Sequence, residues 1–140
     1  MAGMPSILIV EDEYGLAELL RDVLTEMGYD VSLAINGRLA LDVLNESDVN
    51  VVLTDAMMPV MDGPELARAM RAHEKHRRIP IVMMTSLRAA VPATPGLCKA
   101  ILGKPFTPDA LLRVLDSVIG RDRRGRGPHR CTYDAAARFR

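Results

Sequence analysis

At four places along the chain, polar residues able to do chemistry stand just behind short apolar runs. Glu11 and Asp12 follow Ile7-Leu8-Ile9-Val10, and Asp55 follows Val51-Val52-Leu53-Thr54. Thr85 and Ser86 follow Ile81-Val82-Met83-Met84, and Lys104 comes after the run from Cys98 to Leu102. Three carboxylates brought close together repel, and the repulsion either raises a pKa or recruits a cation. A hard divalent ion, Mg²⁺ or Mn²⁺, relieves it best. Mg²⁺ prefers octahedral oxygen coordination and keeps several waters, which suits two carboxylates, a backbone carbonyl and solvent, with one position left for a phosphoryl oxygen. A carboxylate in that setting can act as a nucleophile and form an acyl phosphate, a transfer that asks mainly for positioning and charge neutralisation. Lys104 offers a compact positive charge for phosphate oxygens and Thr85 a rotatable hydroxyl donor, while Ser86 is small enough to leave the approach open. Taken singly, each has a plainer reading as a helix cap, a loop carboxylate or a surface lysine. Their joint placement, with the complementary parts of one phosphoryl site at four strand ends, favours the functional reading.

Such a site requires elements that bring these ends together. Strand-length apolar runs occur at 6–10, 29–35, 49–54, 79–84 and 98–102. Between them, Leu16, Leu19, Leu20, Val23, Leu24 and Met27 recur at helical steps and stop at Gly28. Leu39, Ala40, Val43 and Leu44 do the same after Asn36-Gly37, and a third helix opens at Pro64. A last one opens at Thr107-Pro108-Asp109. Strands alternating with helices predict an α/β fold, a doubly wound parallel sheet of five strands with right-handed crossovers. In the flavodoxin-like order 2-1-3-4-5 the first and third strands are neighbours, so Glu11, Asp12 and Asp55 share one pocket at the carboxyl ends of the strands. Pro92 and Pro95 disfavour a regular helix between the fourth and fifth strands, which is expected to be short or irregular.

The chain has 140 residues and a formal net charge of zero, but the charge is unevenly spread. Residues 1–120 carry −5 and residues 121–140 carry +5, so the expected organisation is a domain over 1–120 and an Arg-rich C-terminal tail over 121–140, expected to be flexible. The acidic run after Val10 excludes a secretory segment or membrane span there, and the cytoplasm is the expected location. Cys98 and Cys131 lie far apart in the sequence, lack the spacing of a zinc site and suit a reducing compartment. His73, His76 and His129, without an evident carboxylate partner, are expected to be solvated rather than ligands or bases. The twenty residues after Gly120 are too few for a DNA-binding output domain, so a stand-alone regulator or a piece of a longer one is expected.

The segments Ile7 to Glu13, Asp55 to Gly63 (DAMMPVMDG), Met84-Thr85-Ser86 and Lys104-Pro105-Phe106 resemble, in order and spacing, the receiver domain of bacterial two-component response regulators, of the CheY-like kind. The resemblance covers about residues 4–120. It implies that Asp55 is the phosphoacceptor for a sensor histidine kinase or phosphotransfer protein. Glu11, Asp12, Asp55 and the Met57 carbonyl would hold Mg²⁺. Thr85, Ser86 and Lys104 would form the phosphate-binding switch, and Pro105 would follow a cis peptide bond. It also implies a downstream protein partner, or a second copy of the chain as a homodimer, and no enzyme activity beyond the domain's own phosphorylation and dephosphorylation. Two departures stand out. The interval from Thr85 to Lys104 is short, and the position of the family's switching aromatic is Ile101. An aliphatic side chain there cannot perform the aromatic flip, so state is expected to be communicated through the segment 87–97. The competing readings are a degenerate receiver that binds partners independently of phosphorylation and, with less support, a nucleic-acid binder acting through the tail. A haloacid dehalogenase-type phosphatase needs a second acid two residues after the first, where this chain has Met57, and no Gly-rich loop follows the first strand to suit a nucleotide-binding module.

Overall fold

The computed structural model describes residues 4–120 and the backbone of a strand at 132–134. Along the chain the elements are β1 (Ser6–Val10), α1 (Tyr14–Glu26), β2 (Asp30–Ala34), α2 (Gly37–Glu46), β3 (Val51–Asp55), α3 (Gly63–Ala72), β4 (Ile81–Thr85), β5 (Ala100–Gly103), α4 (Pro108–Ile119) and β6 (Thr132–Asp134). The strands form one parallel sheet in the order β2-β1-β3-β4-β5-β6. The expected five-strand order 2-1-3-4-5 is therefore present. A sixth strand, Thr132–Asp134, extends it at the β5 edge.

Side chains alternate across the strands. Ile7, Ile9, Leu53, Val82, Met84 and Leu102 face α1 and α4, where they meet Leu20, Leu24, Leu111 and Leu115. Leu8, Val10, Val52, Ile81, Met83 and Ile101 face α2 and α3, where they meet Ala40, Leu44, Leu66 and Met70. Because both faces are covered, the central strands read as unbroken apolar runs rather than alternating ones. Each complete burial of a side chain such as Leu53 or Ile81 contributes roughly 1.5–3 kcal/mol.

Caps fix where the helices begin. Glu13 accepts from the Gly15 amide at the start of α1, and Asn36 from the Leu39 amide at the start of α2. Asp62 and Glu65 form a reciprocal capping box on α3, and Thr107 accepts from the Ala110 amide on α4. Gly120 ends α4 in the left-handed region at φ 89°. Between β4 and β5 only a single 3₁₀ turn forms, at Arg88–Ala90, as expected from the prolines. No helix among the described residues is long and apolar enough to cross a membrane.

Two expectations need correction. His76 is not solvated: it is 1% exposed, stacked on His73 at 4.3 Å, with Nε2 3.0 Å from Asn45 Oδ1 and Nδ1 without a partner. The turn after α3 folds back through the His76 and Arg77 amides donating to the His73 carbonyl, and this tucks the ring under the end of α2. Cys98 is disulfide-bonded, and no described cysteine is free. The parallel β5–β6 pairing sets the starts of two sequence-distant segments side by side. Cys98 precedes β5 by two residues, and the only other cysteine, Cys131, directly precedes β6 in the sequence. Cys131, His129 and most of 121–140 lie outside the described residues.

Candidate functional site

β1, β3, β4 and β5 end at one pole of the sheet, and their last or following residues build the site. The backbone sets its frame. Glu11 donates its amide to the Ala34 carbonyl, Ala56 to Met84, and Lys104 to Thr85, so each strand end is tied to a neighbouring strand. The Lys104–Pro105 peptide is cis. Gly63, the first residue of α3, donates to the Ala56 carbonyl at 3.1 Å. A Cβ there would lie 2.6 Å from the Asp55 carbonyl oxygen, so only glycine lets α3 start this close to the end of β3. The intervening loop holds Val60 at φ 71°, a strained conformation for a β-branched residue. Gly37 at the start of α2 donates to the Met61 carbonyl and anchors that loop from the other side.

Carboxylate oxygens of Glu11, Asp12 and Asp55 all lie within 4.8 Å of one another. Glu11 is buried, Asp55 half-buried and Asp12 exposed. The Lys104 ammonium sits between two of them, donating to Glu11 Oε1 at 3.2 Å and to Asp55 Oδ2 at 3.1 Å. Glu11 Oε2 accepts from the Glu13 amide, and Asp55 Oδ1 from the Met57 amide at 3.4 Å. Burial pushes the Glu11 carboxyl up to about 7, the Asp55 charge adds to the rise, and the Glu13 amide and Lys104 hold it back. Burial alone would lower Lys104, but the charges of Asp55 and Glu11 outweigh it and raise its pKa.

Thr85 is buried at the end of β4 and does not reach Asp55 here. Its hydroxyl donates to the Leu87 carbonyl and accepts from the Leu87 amide, both at 3.0 Å. Ser86 is exposed, and it lines an apolar groove of about 360 Å³ together with Lys104, Pro105, Phe106 and Leu19 of α1. Ile101 is wholly buried on the face toward α2 and α3. Asp62, Gly63 and Thr54 have structural roles that the reading of strand ends leaves unassigned. Asp62 caps α3, and the Thr54 hydroxyl, fully buried, donates to the Asp55 carbonyl at 2.9 Å. The pattern D-G-P-E at 62–65 carries the signature of a capping box; nothing in the sequence marks Thr54.

The donor set is all oxygen, anionic and crowded, which fits a hard divalent cation and does not fit a soft metal. Arranged this way, the site can hold a cation, present one Asp55 oxygen to an electrophile and neutralise an added anion with Lys104.

A family model for the response regulator receiver domain matches residues 7–116. A chemotaxis protein CheY homolog of Campylobacter jejuni is 34% identical over 119 residues, covering 81% of this chain and 92% of that protein. The probable transcriptional regulator ycf29 of Porphyra purpurea is 28% identical over 120 residues, covering 84% of this chain and 57% of that protein. The chain spans about half the length of the curated relatives ycf29 and ycf27. Among solved structures, the Vibrio cholerae chemotaxis response regulator CheY4 superposes with a TM-score of 0.76 at 30% identity, covering 82% of this chain and 98% of that one. The receiver domain of a Pseudomonas aeruginosa sensor histidine kinase, with a magnesium ion coordinated in its active-site cleft, gives 0.74 at 31% identity, covering 85% and 99%.

Proposed function

Since the chain belongs to the response regulator receiver domain family, which its residues 7–116 match, we propose that it takes up a phosphoryl group on Asp55 in a Mg²⁺-dependent reaction. The observation that carries this reading is Lys104 Nζ bridging Glu11 and Asp55 inside a cluster of three carboxylates. Glu11, Asp12, Asp55 and the Met57 carbonyl would hold the ion, which when bound neutralises charge on the transferring phosphoryl group.

The donor is a phosphohistidine of a sensor kinase or phosphotransfer protein. An Asp55 oxygen forms the new P–O bond as the donor's P–N bond breaks, and the released imidazole recovers its proton from solvent. Lys104 is already 3.1 Å from Asp55 and pairs with the phosphoryl oxygens as they arrive. Thr85 must first give up its two hydrogen bonds to Leu87, each contributing roughly 0.5–1.5 kcal/mol, before its hydroxyl can turn to the phosphoryl group. That exchange couples the site to the segment after β4 and shifts a two-state population without an aromatic flip, because Ile101 is held in the core. The readers are a downstream protein or a second copy of the chain, in the cytoplasm. The protein is a signalling domain and not a classical enzyme; on this reading it acts only on its own phosphorylation and dephosphorylation.

Intact mass after incubation with acetyl phosphate and Mg²⁺ tests the proposal. One phosphoryl group is expected on the wild type and none on Asp55→Asn. No label on the wild type would leave the degenerate receiver as the better reading, and equal labelling of both proteins would place the acceptor at another residue.

A further inference from the structure

The pole opposite Asp55, where the strands begin, holds a cavity of about 590 Å³. Among the described residues its wall carries four cations, Arg71, Arg77, Arg78 and Lys99, and no carboxylate. Arg71 is half-buried and built into the floor: Nε donates to the Gly96 carbonyl, and one terminal nitrogen to the carbonyls of Arg77 and Ile79. These bonds fix the turn that presents Arg77 and Arg78. Neither of those side chains, nor that of Lys99, is paired with an acid among the described residues. Asn50 uses its side-chain oxygen on the Ser6 amide, which leaves its amide nitrogen as a further donor. Pro5, Pro80, Val118 and Ile119 supply apolar wall, beside Gly96 and the disulfide-bonded Cys98.

Four positive groups around one hollow, none paired with an acid among the described residues, repel each other and stabilise any anion that enters. The C-terminal turns of α3 and α4 point to the same pole and oppose an anion, but each contributes only about half a negative charge. The volume is that of a small-molecule site, far larger than a single phosphate needs. A concave hollow in a body of net charge −5 suits a compact anion better than a long nucleic acid, which the acidic remainder would repel.

We propose that this cavity binds a nucleoside polyphosphate, its phosphates on Arg77, Arg78 and Lys99 and its base against Pro80, Val118 and Ile119. The proposal does not depend on Asp55 chemistry. It is tested by calorimetry of the full chain with adenosine triphosphate in metal-free buffer, which removes any metal-bridged binding at the acidic site. Binding with Kd on the order of 10 µM is expected, weakened about tenfold or more in Arg77→Ala/Arg78→Ala and in Lys99→Ala. Adenosine alone should not bind, and inorganic pyrophosphate should bind about tenfold more weakly. Far-ultraviolet circular dichroism and the thermal unfolding midpoint should be the same in all variants, which shows that they fold. No binding at millimolar nucleotide, full binding by the double variant, pyrophosphate equal to the nucleotide, or tighter binding of duplex DNA would each overturn the proposal.

Discussion

Glu11 is a buried carboxyl facing a second carboxylate, and its pKa is pushed up to about 7. Because its folded value is raised above the ordinary one, ionisation works against the fold, and the stability present at low pH is lost as pH rises through about 7. Glu11→Gln should therefore stabilise the metal-free protein at pH 8 by about 1–3 kcal/mol, read from denaturant midpoints, while impairing phosphorylation. His76 has the opposite dependence. Burial, then the neighbouring charges of His73 and Lys75, lower its pKa, so the folded state resists protonation. Its stabilising neutral form is fully populated above the ordinary histidine value of about 6.5, and stability falls as pH drops below it. His76→Phe should flatten the slope of the unfolding midpoint between pH 7 and 5; an unchanged slope would place the titrating group elsewhere.

At the scale of elements, the proposed signalling rests on β4 and the segment joining it to β5. A regular helix after β4 would move as a unit, but here a single 3₁₀ turn is followed by a proline-containing stretch with few internal bonds. Such a segment opens at low free-energy cost. The Thr85–Leu87 turn is its tether to the site. Beryllofluoride with Mg²⁺ should thus change hydrogen exchange over residues 87–97 more than over α2 or α3. Identical exchange with and without it would show that the segment does not carry the signal.

For the whole molecule, the sheet separates two chemistries by its full length: an acidic pole at the carboxyl ends of the strands and a basic one where they begin. β6 belongs to this scale because it joins the domain's edge to a segment far along the chain. Three residues pair too little backbone to hold alone, and the disulfide at Cys98 lies beside that edge. Thiol reductant should raise exchange at the β5 amides bonded to β6 while leaving labelling of Asp55 intact. Equal exchange under both conditions would mean the strand is held without the bond.

The order of elements, the two-faced core and the gathering of Glu11, Asp12, Asp55, Thr85 and Lys104 at strand ends were all legible in the amino-acid order. Apolar periodicity, and the polar residue that terminates each run, are local properties, and a parallel sheet leaves few ways to arrange them. Folding in three dimensions was needed to establish that Lys104 bridges Glu11 and Asp55, that Thr85 turns to Leu87, that His76 is buried, and that β6 joins the edge. The same holds for the cations gathered at the far pole. Each depends on a register or a rotamer set by contacts between segments distant in sequence. Residue type and spacing constrain what such a contact can do, while the packing around it selects which contact forms.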